Sequence, residues 1–246
     1  MVARTEAERD GLRAAGRLVR RVFNQMKAAA RPGVTTVDLD RIAGELFARA
    51  GARSAPQHFY DFPGFTCISV NEEAAHGIPG PRRLRHGDLL NIDVSAELDG
   101  YVADMGQSFL VGRGRRARQR ICRAVEQAVG QAVAEIRPGA SLNVIGSAVE
   151  RVAVAGGYGI VRNLGSHGVG RSIHEEPSYI PIDNPAEERV LEEGLVLTVE
   201  PFFTTGRPWV EEQADGWTLA VQPGALVAQF EHTVLVGPEG AEVLTA

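Results

Sequence analysis

Apolar residues at Leu12, Ala15, Leu18, Val19, Val22, Phe23 and Met26 recur in steps of three and four. That is the spacing of one helix face, and it predicts a first helix of about 20 residues. Arg31-Pro32-Gly33 ends it. Thr35 with Asp38 reads as a capping box in which Asp replaces the usual Glu. Leu39, Ile42, Leu46 and Ala50 mark a second helix, stopped at Gly51. A strand-like stretch follows at 66–70, and then a hairpin: 89–94, a turn at Asp99-Gly100, and 101–111.

The pattern then recurs. Ile121, Val125, Ala128, Ala132 and Ile136 predict a third helix ended by Arg137-Pro138-Gly139. Ser141 can cap a fourth, carrying Leu142, Ile145, Val149 and Val152 and stopping at Gly156-Gly157. Pro32-Gly33 and Pro138-Gly139 are offset by 106 positions, as are Gly51 and Gly157. The later strands keep nearly the same offset, with Gly87 six positions before Asp93 and Gly194 six before Glu200. A chance correspondence is the alternative. The preferred reading is a duplicated half-domain, too long a period for a solenoid. It predicts one α+β domain over 1–246, with halves at 5–111 and 115–246 whose antiparallel strands meet at a pseudo-two-fold centre.

Composition changes this picture little. The chain has 246 residues, 44% hydrophobic and 23% charged, which suits a globular protein with a substantial core. A net charge of −5 gives no reason to expect nucleic acid or an anionic membrane as partner. Lys27 is the only lysine, and the arginine excess reads as compositional bias. Two cysteines, Cys67 and Cys122, are too few for a disulfide framework and fit a reducing compartment. Glu6, Glu8 and Asp10 lie among the early arginines, so neither a secretory signal nor a transit peptide is expected. No run approaches the roughly 20 apolar residues that span a bilayer, and a cytoplasmic protein is expected.

The chemistry begins in the hairpin. With Asp99 and Gly100 central to the turn, Asp104 faces Ser95 and Asp93 faces Gly106. Asp93 and Asp104 then become diagonal neighbours on one face, about 7–8 Å apart at the backbone. Carboxylates that close repel unless a cation or a shared proton lies between them. A solvated polar face is the alternative, but Asp93 ends the mostly apolar run Leu89-Leu90-Asn91-Ile92. Glu200 ends a similar run, 195–199, and Glu231 lies amid Phe230, Val234 and Leu235 on a last long strand over 226–236. Asn91 and Thr198, each two residues earlier on the same side, are placed to orient these acids. Three histidines sit in glycine-bearing or proline-bearing loops: His76 before Gly77-Ile78-Pro79, His167 in Gly165-Ser166-His167-Gly168-Val169-Gly170, and His174 before Glu175-Glu176-Pro177. The glycines around His167 permit a close backbone approach to a bound group. His58, His86 and His232 read as structural.

Taken in order, Asn71-Glu72 … His76-Gly77-Ile78-Pro79, Asp93 and Asp104, His167-Gly168-Val169-Gly170 … His174-Glu175-Glu176-Pro177, Thr198-Val199-Glu200-Pro201 and Glu231-His232-Thr233 resemble methionine aminopeptidase over nearly the whole chain. The short interval between Glu200 and Glu231 resembles the type I branch, and no N-terminal zinc-binding extension is expected. The resemblance implies a pita-bread fold with two divalent ions, Mn, Fe, Co or Zn. Asp93 would hold one ion, Asp104 and Glu231 would bridge the pair, and His167 with Glu200 would hold the other. A water shared by the ions would attack the peptide, with Glu200 as base, His174 at the scissile carbonyl and His76 at the peptide nitrogen. A free α-amine bound to one ion would make the enzyme an exopeptidase.

For the methionine side chain the resemblance points to Phe59, Phe62, Cys67, Ile173 and Trp217, with ordinary core packing as the alternative for each. The family more often has tyrosines at the first two positions and an aromatic in place of Ile173, which bears on pocket shape. The implied partners are the N-termini of newly made proteins and peptides with a small second residue, met through a transient ribosome contact by a monomeric enzyme. A proline-specific aminopeptidase or prolidase shares the fold and much of the ligand set. A binding module that had lost catalysis would be expected to have lost ligands as well.

Overall fold

The structure, a computed structural model, describes residues 1–180 and 182–246. Helix α1 (Glu6–Ala29) buries Leu12, Ala15, Leu18, Val19, Val22, Phe23 and Met26, the face its spacing predicts. Helix α2 (Thr36–Ala50) carries the Thr35/Asp38 capping box in full and ends at Gly51, whose φ of 69° is the left-handed cap that glycine favours. Strand β1 (Arg53–Ser54) leads into the short helix α3 (Ala55–Tyr60). Then come β2 (Cys67–Val70), β3 (Glu73–Ala75) and the long hairpin β4 (Leu89–Leu98) and β5 (Tyr101–Leu110). Strand β4 extends past residue 94 to the turn, and its outer edge is shared by β2 and β1, with β5 on the other side.

Helices α4 (Arg116–Glu135) and α5 (Asn143–Gly156) come next. Leu142 already has helical angles, and the Ser141 hydroxyl accepts the Asn143 N–H at 3.1 Å, so the serine caps one residue ahead of the hydrogen-bonded helix. Beyond them lie β6 (Gly159–Ile160), β7 (Val196–Val199), β8 (Phe202–Thr204), β9 (Glu211–Glu212), β10 (Leu219–Ala220), β11 (Val227–Gln229), β12 (His232–Val236) and β13 (Ala241–Val243). Pairs among the described strands are antiparallel.

The expected single strand over 226–236 is broken. Strand β11 pairs with β8, whereas β12 pairs with β7 and β13. Between them Phe230 bridges to Gln107, and the Glu231 N–H donates to the Gly106 carbonyl at 2.8 Å. The chain thus changes partners at the point where it crosses β5. That crossing is a seam between two apolar cores. One lies between α1, α2 and the β2–β4–β5 sheet, the other between α4, α5 and strands β7, β8, β11 and β12. Thr233 reinforces the seam: its hydroxyl accepts from the Asp104 N–H and donates to the Asp104 carbonyl, each at 2.8 Å.

Helix α3 supplies Pro56 and Tyr60 to the wall of a cavity beside this seam. The Ser54 hydroxyl accepts from the Gln57 N–H at 3.3 Å and donates to the Phe65 carbonyl at 2.8 Å. Ser54→Ala should therefore cost about 1 kcal/mol of stability in urea unfolding. An unchanged midpoint would show that this cap does not hold α3 in place.

Candidate metal centre

In the hairpin Asp93 faces Gly106 and Ser95 faces Asp104, the register that the Asp99-Gly100 turn predicts. The space opposite Asp93 is taken by the amide of Gln229, and a Cβ at Gly106 would overlap it. That amide has a fixed orientation. Asn91 Nδ2 donates to Gln229 Oε1 at 2.7 Å, leaving Gln229 Nε2 to donate to Glu200 Oε2 at 3.2 Å and Glu231 Oε2 at 3.1 Å. Asn91 therefore acts through Gln229 rather than on its strand neighbour Asp93. Thr198 does bond its neighbour, donating to Glu200 Oε1 at 3.1 Å. Ser95 donates to Asp104 Oδ1 at 2.7 Å, and Ser166 Oγ accepts the Glu200 N–H at 2.9 Å.

Ligand atoms of Asp104, His167 and Glu231 lie within 4.8 Å of one another, all three residues buried. Asp93 and Glu200 line the adjoining cavity of about 370 Å³, together with His76 and His174. A larger groove of about 950 Å³ lies around Arg82, Arg207 and Trp209, away from these groups. The electrostatics of the cluster are unfavourable without a cation. Burial, and then the neighbouring acids, hold Asp93 and Glu231 well above the ordinary carboxylate range; Asp104 is raised, first by burial. Glu231 Oε1 is buried without a hydrogen-bond partner.

His167 Nδ1 lies 2.9 Å from the Gly168 carbonyl, which can only accept, so the proton is on Nδ1 and Nε2 presents a lone pair. That lone pair faces Glu200 Oε1 at 2.9 Å. Burial lowers the imidazole's pKa, but Glu200, together with Asp104 and the Gly168 carbonyl, more than offsets it and the net shift is upward. Bare nitrogen against carboxylate is stable only with a proton or a metal between them. Oxygen donors, one imidazole and an orphaned buried oxygen fit a divalent cation.

His76 lies at the cavity wall with a φ of 53°, and burial lowers its pKa. His174 opens onto the cavity, with its ring centroid 4.2 Å from that of His167. The surrounding walls, and then His167, hold its pKa down. Phe62 meets Trp217 edge to face at 5.2 Å, and with Cys67 and Ile173 they line one side of the cavity. Phe59 is not on that wall. It packs against the cluster of Ala3, Leu12 and Ile173 and lies tilted against His58, with ring centroids 4.7 Å apart, while Tyr60 takes the wall position and reaches His174 Nδ1 at 2.6 Å. Successive residues of a helix point about 100° apart, so only one of the two can face the cavity. The glycine of His167-Gly168 also serves differently from expectation. A Cβ at Gly168 would overlap the Glu176 carbonyl, so its space admits the chain's own loop rather than a bound group. Sequence reasoning also missed Gln229, although it lies two positions before Glu231, the spacing used to pick Asn91 and Thr198.

An antiparallel α+β frame thus gathers, at its central seam, acids and an imidazole able to hold a metal ion. Residues 10–238 match the model of metallopeptidase family M24, and the chain belongs to that family. It is 44% identical to a methionine aminopeptidase of Staphylococcus epidermidis over 247 aligned positions, covering all of this chain and 98% of the relative. It is 35% identical to that of Escherichia coli, covering 98% and 92%. The crystal structure of methionine aminopeptidase from Rickettsia prowazekii superposes with a TM-score of 0.95 at 33% identity, over 100% of both chains. A prolidase from Pyrococcus horikoshii gives 0.77 at 22% identity over 63% of its length, a likeness of fold. The fold is the pita-bread fold, and the protein is a metallopeptidase.

Two outcomes test the centre. Gln229→Leu should leave the fold intact and weaken divalent-metal affinity about 10–100-fold by calorimetry, because the amide that orients Glu200 and Glu231 is lost. Metal should also raise the melting temperature more at pH 7.5 than at pH 5.5. Asp93 and Glu231 titrate higher folded than unfolded, so the metal-free fold keeps protons there that the unfolded chain releases above a pH of about 4. The stability those protons confer fades as pH rises through the folded values, and a cation replaces it. A metal-induced gain independent of pH would contradict this.

Proposed function

We propose that this protein is a methionine aminopeptidase that removes N-terminal methionine from proteins and peptides with a small second residue. Asp93, Asp104, His167, Glu200 and Glu231 would hold two divalent cations. The observation that carries the reading is the meeting of buried acids and a bare imidazole nitrogen beside an apolar slot. The named relatives, at 35–44% identity, support methionine as the residue released. The likeness to the Pyrococcus horikoshii prolidase, at 22% identity over 63% of its length, is one of fold.

When bound, the cations would supply Lewis-acid polarisation and lower the pKa of a water. The chain's own groups do the rest. Glu200, oriented by Thr198 and Gln229, accepts the proton of the attacking water at its carboxylate. His174 donates a hydrogen bond to the scissile carbonyl oxygen as negative charge develops there. His76, on the same cavity wall, contacts the peptide nitrogen. The methionine side chain enters the slot of Phe62, Cys67, Ile173 and Trp217, where sulfur and aromatic contacts suit a thioether. The substrates would be the N-termini of newly made proteins, met by a monomer in the cytoplasm through a transient ribosome contact. No helix among the described residues is long and apolar enough to cross a membrane.

Met-Ala-Ser and Ala-Pro-Ala peptides separate the two peptidase readings. Methionine release should exceed alanine release by orders of magnitude, and the reverse preference would favour the prolidase reading. Glu200→Gln should fold normally and lower kcat roughly 10²–10⁴-fold. Near-normal turnover would remove Glu200 from the mechanism.

A further inference from the structure

The carbonyl-binding role above requires His174 to offer a proton, and a neutral imidazole carries one on only one of its two nitrogens. Which nitrogen carries it is set by what the other one bonds. Tyr60 Oη lies 2.6 Å from His174 Nδ1, with ring centroids 5.5 Å apart and planes at 51°. Two proton arrangements fit that distance: the phenol donates to Nδ1, or an Nδ1–H donates to the phenol oxygen. A phenol O–H is a stronger donor than an imidazole N–H, and an imidazole nitrogen is a much stronger base than a phenol oxygen. The O–H···N arrangement is therefore the stable one, and it leaves the ring proton on Nε2. Burial holds the Tyr60 phenol above its ordinary pKa, which keeps its proton available for donation.

His167 is held the opposite way. Its Nδ1 faces a backbone carbonyl, so its Nε2 is bare. Two imidazoles with centroids 4.2 Å apart thus present different chemistry into one site. The bare nitrogen suits a cation, and the protonated one suits a carbonyl oxygen. Their Nδ1 partners differ, a carbonyl in one case and a tyrosine hydroxyl in the other.

We propose that Tyr60 is a positioning residue that holds His174 as its Nε2–H tautomer, so that this ring donates to the scissile carbonyl. The proposal rests on the aminopeptidase reading for the use made of that proton, while the tautomer itself follows from the contact. The backbone around Tyr60 is built to hold it. Helix α3 is capped at its start by Ser54, and it closes at Asp61, whose left-handed φ of 57° lets its N–H reach the Gln57 carbonyl at 3.1 Å. Tyr60 is 44% exposed and touches His174 from the cavity rim, so removing its hydroxyl opens no core cavity.

The test is carried out on the zinc-loaded full chain, which is diamagnetic. Long-range ¹H–¹⁵N spectra of the histidine rings should show His174 protonated at Nε2 in the wild type. In Tyr60→Phe the two tautomers should mix. With Met-Ala-Ser as substrate, Tyr60→Phe should lower kcat about tenfold. KM should stay within about twofold, because uniform binding of the peptide is untouched. Metal content and melting temperature should not move. A wild-type His174 protonated at Nδ1 overturns the proposal without any variant. So does a Tyr60→Phe enzyme with wild-type kcat and a wild-type ring spectrum, or one that loses activity only through lost metal or stability. Failure of the wild type to release methionine with any divalent metal would instead defeat the aminopeptidase reading, and the ring spectrum would still decide the tautomer.

Discussion

Carboxylates forced together away from water are the constraint on which this structure turns. Two unit charges at 4.8 Å, the outer limit for the ligand atoms of Asp104 and Glu231, repel by roughly 3–4 kcal/mol at an effective dielectric of about 20. Asp93 and Glu200 add further like charge at the same cavity. A few such pairs would match the whole stability of an ordinary domain, about 5–15 kcal/mol. Such a seam persists only with its acids protonated or with a cation between them. The upward shifts of Asp93, Asp104 and Glu231 describe the first state. The bare Nε2 of His167 and the unpartnered Glu231 oxygen prepare for the second.

The frame keeps these groups from turning apart. Three of the acids are held by polar contacts: the Asp104 carboxylate by Ser95 across the hairpin, the Glu200 carboxylate by Thr198 and its backbone N–H by Ser166, and the Glu231 carboxylate by Gln229. Gln229 links the sets, since one amide nitrogen serves Glu200 and Glu231 while its oxygen is held by Asn91 of β4. The break between β11 and β12 gives this network its geometry by bringing the Glu231 backbone onto β5. Register and side-chain orientation are thus one problem, solved by the backbone first.

Much of this was legible in the residues. The Asp99-Gly100 turn determines that Ser95 faces Asp104, and the helix faces follow from apolar spacing. Less was legible wherever a partner lay far along the chain. Asn91 suited a role beside Asp93 by strand alternation, but its partner is Gln229, 138 residues away. Phe59 and Tyr60 are adjacent in sequence, and only the helical rotation of α3 decides which one meets the cavity. The space at Gly106 was foreseeable from the register, while the amide that fills it comes from β11. The strand over 226–236 reads as continuous because its apolar pattern continues through the point where pairing changes. Local patterns carry local structure; the crossing of β5 by a distant segment leaves no local mark.

Anomalous diffraction from crystals grown with Mn²⁺ locates the cations against these side chains. Anomalous density should be bounded by Asp93, Asp104, His167, Glu200 and Glu231, with His167 approached through its Nε2. Manganese bound only elsewhere, or this seam left unbound at saturating metal with its acids still buried together, would contradict that placement.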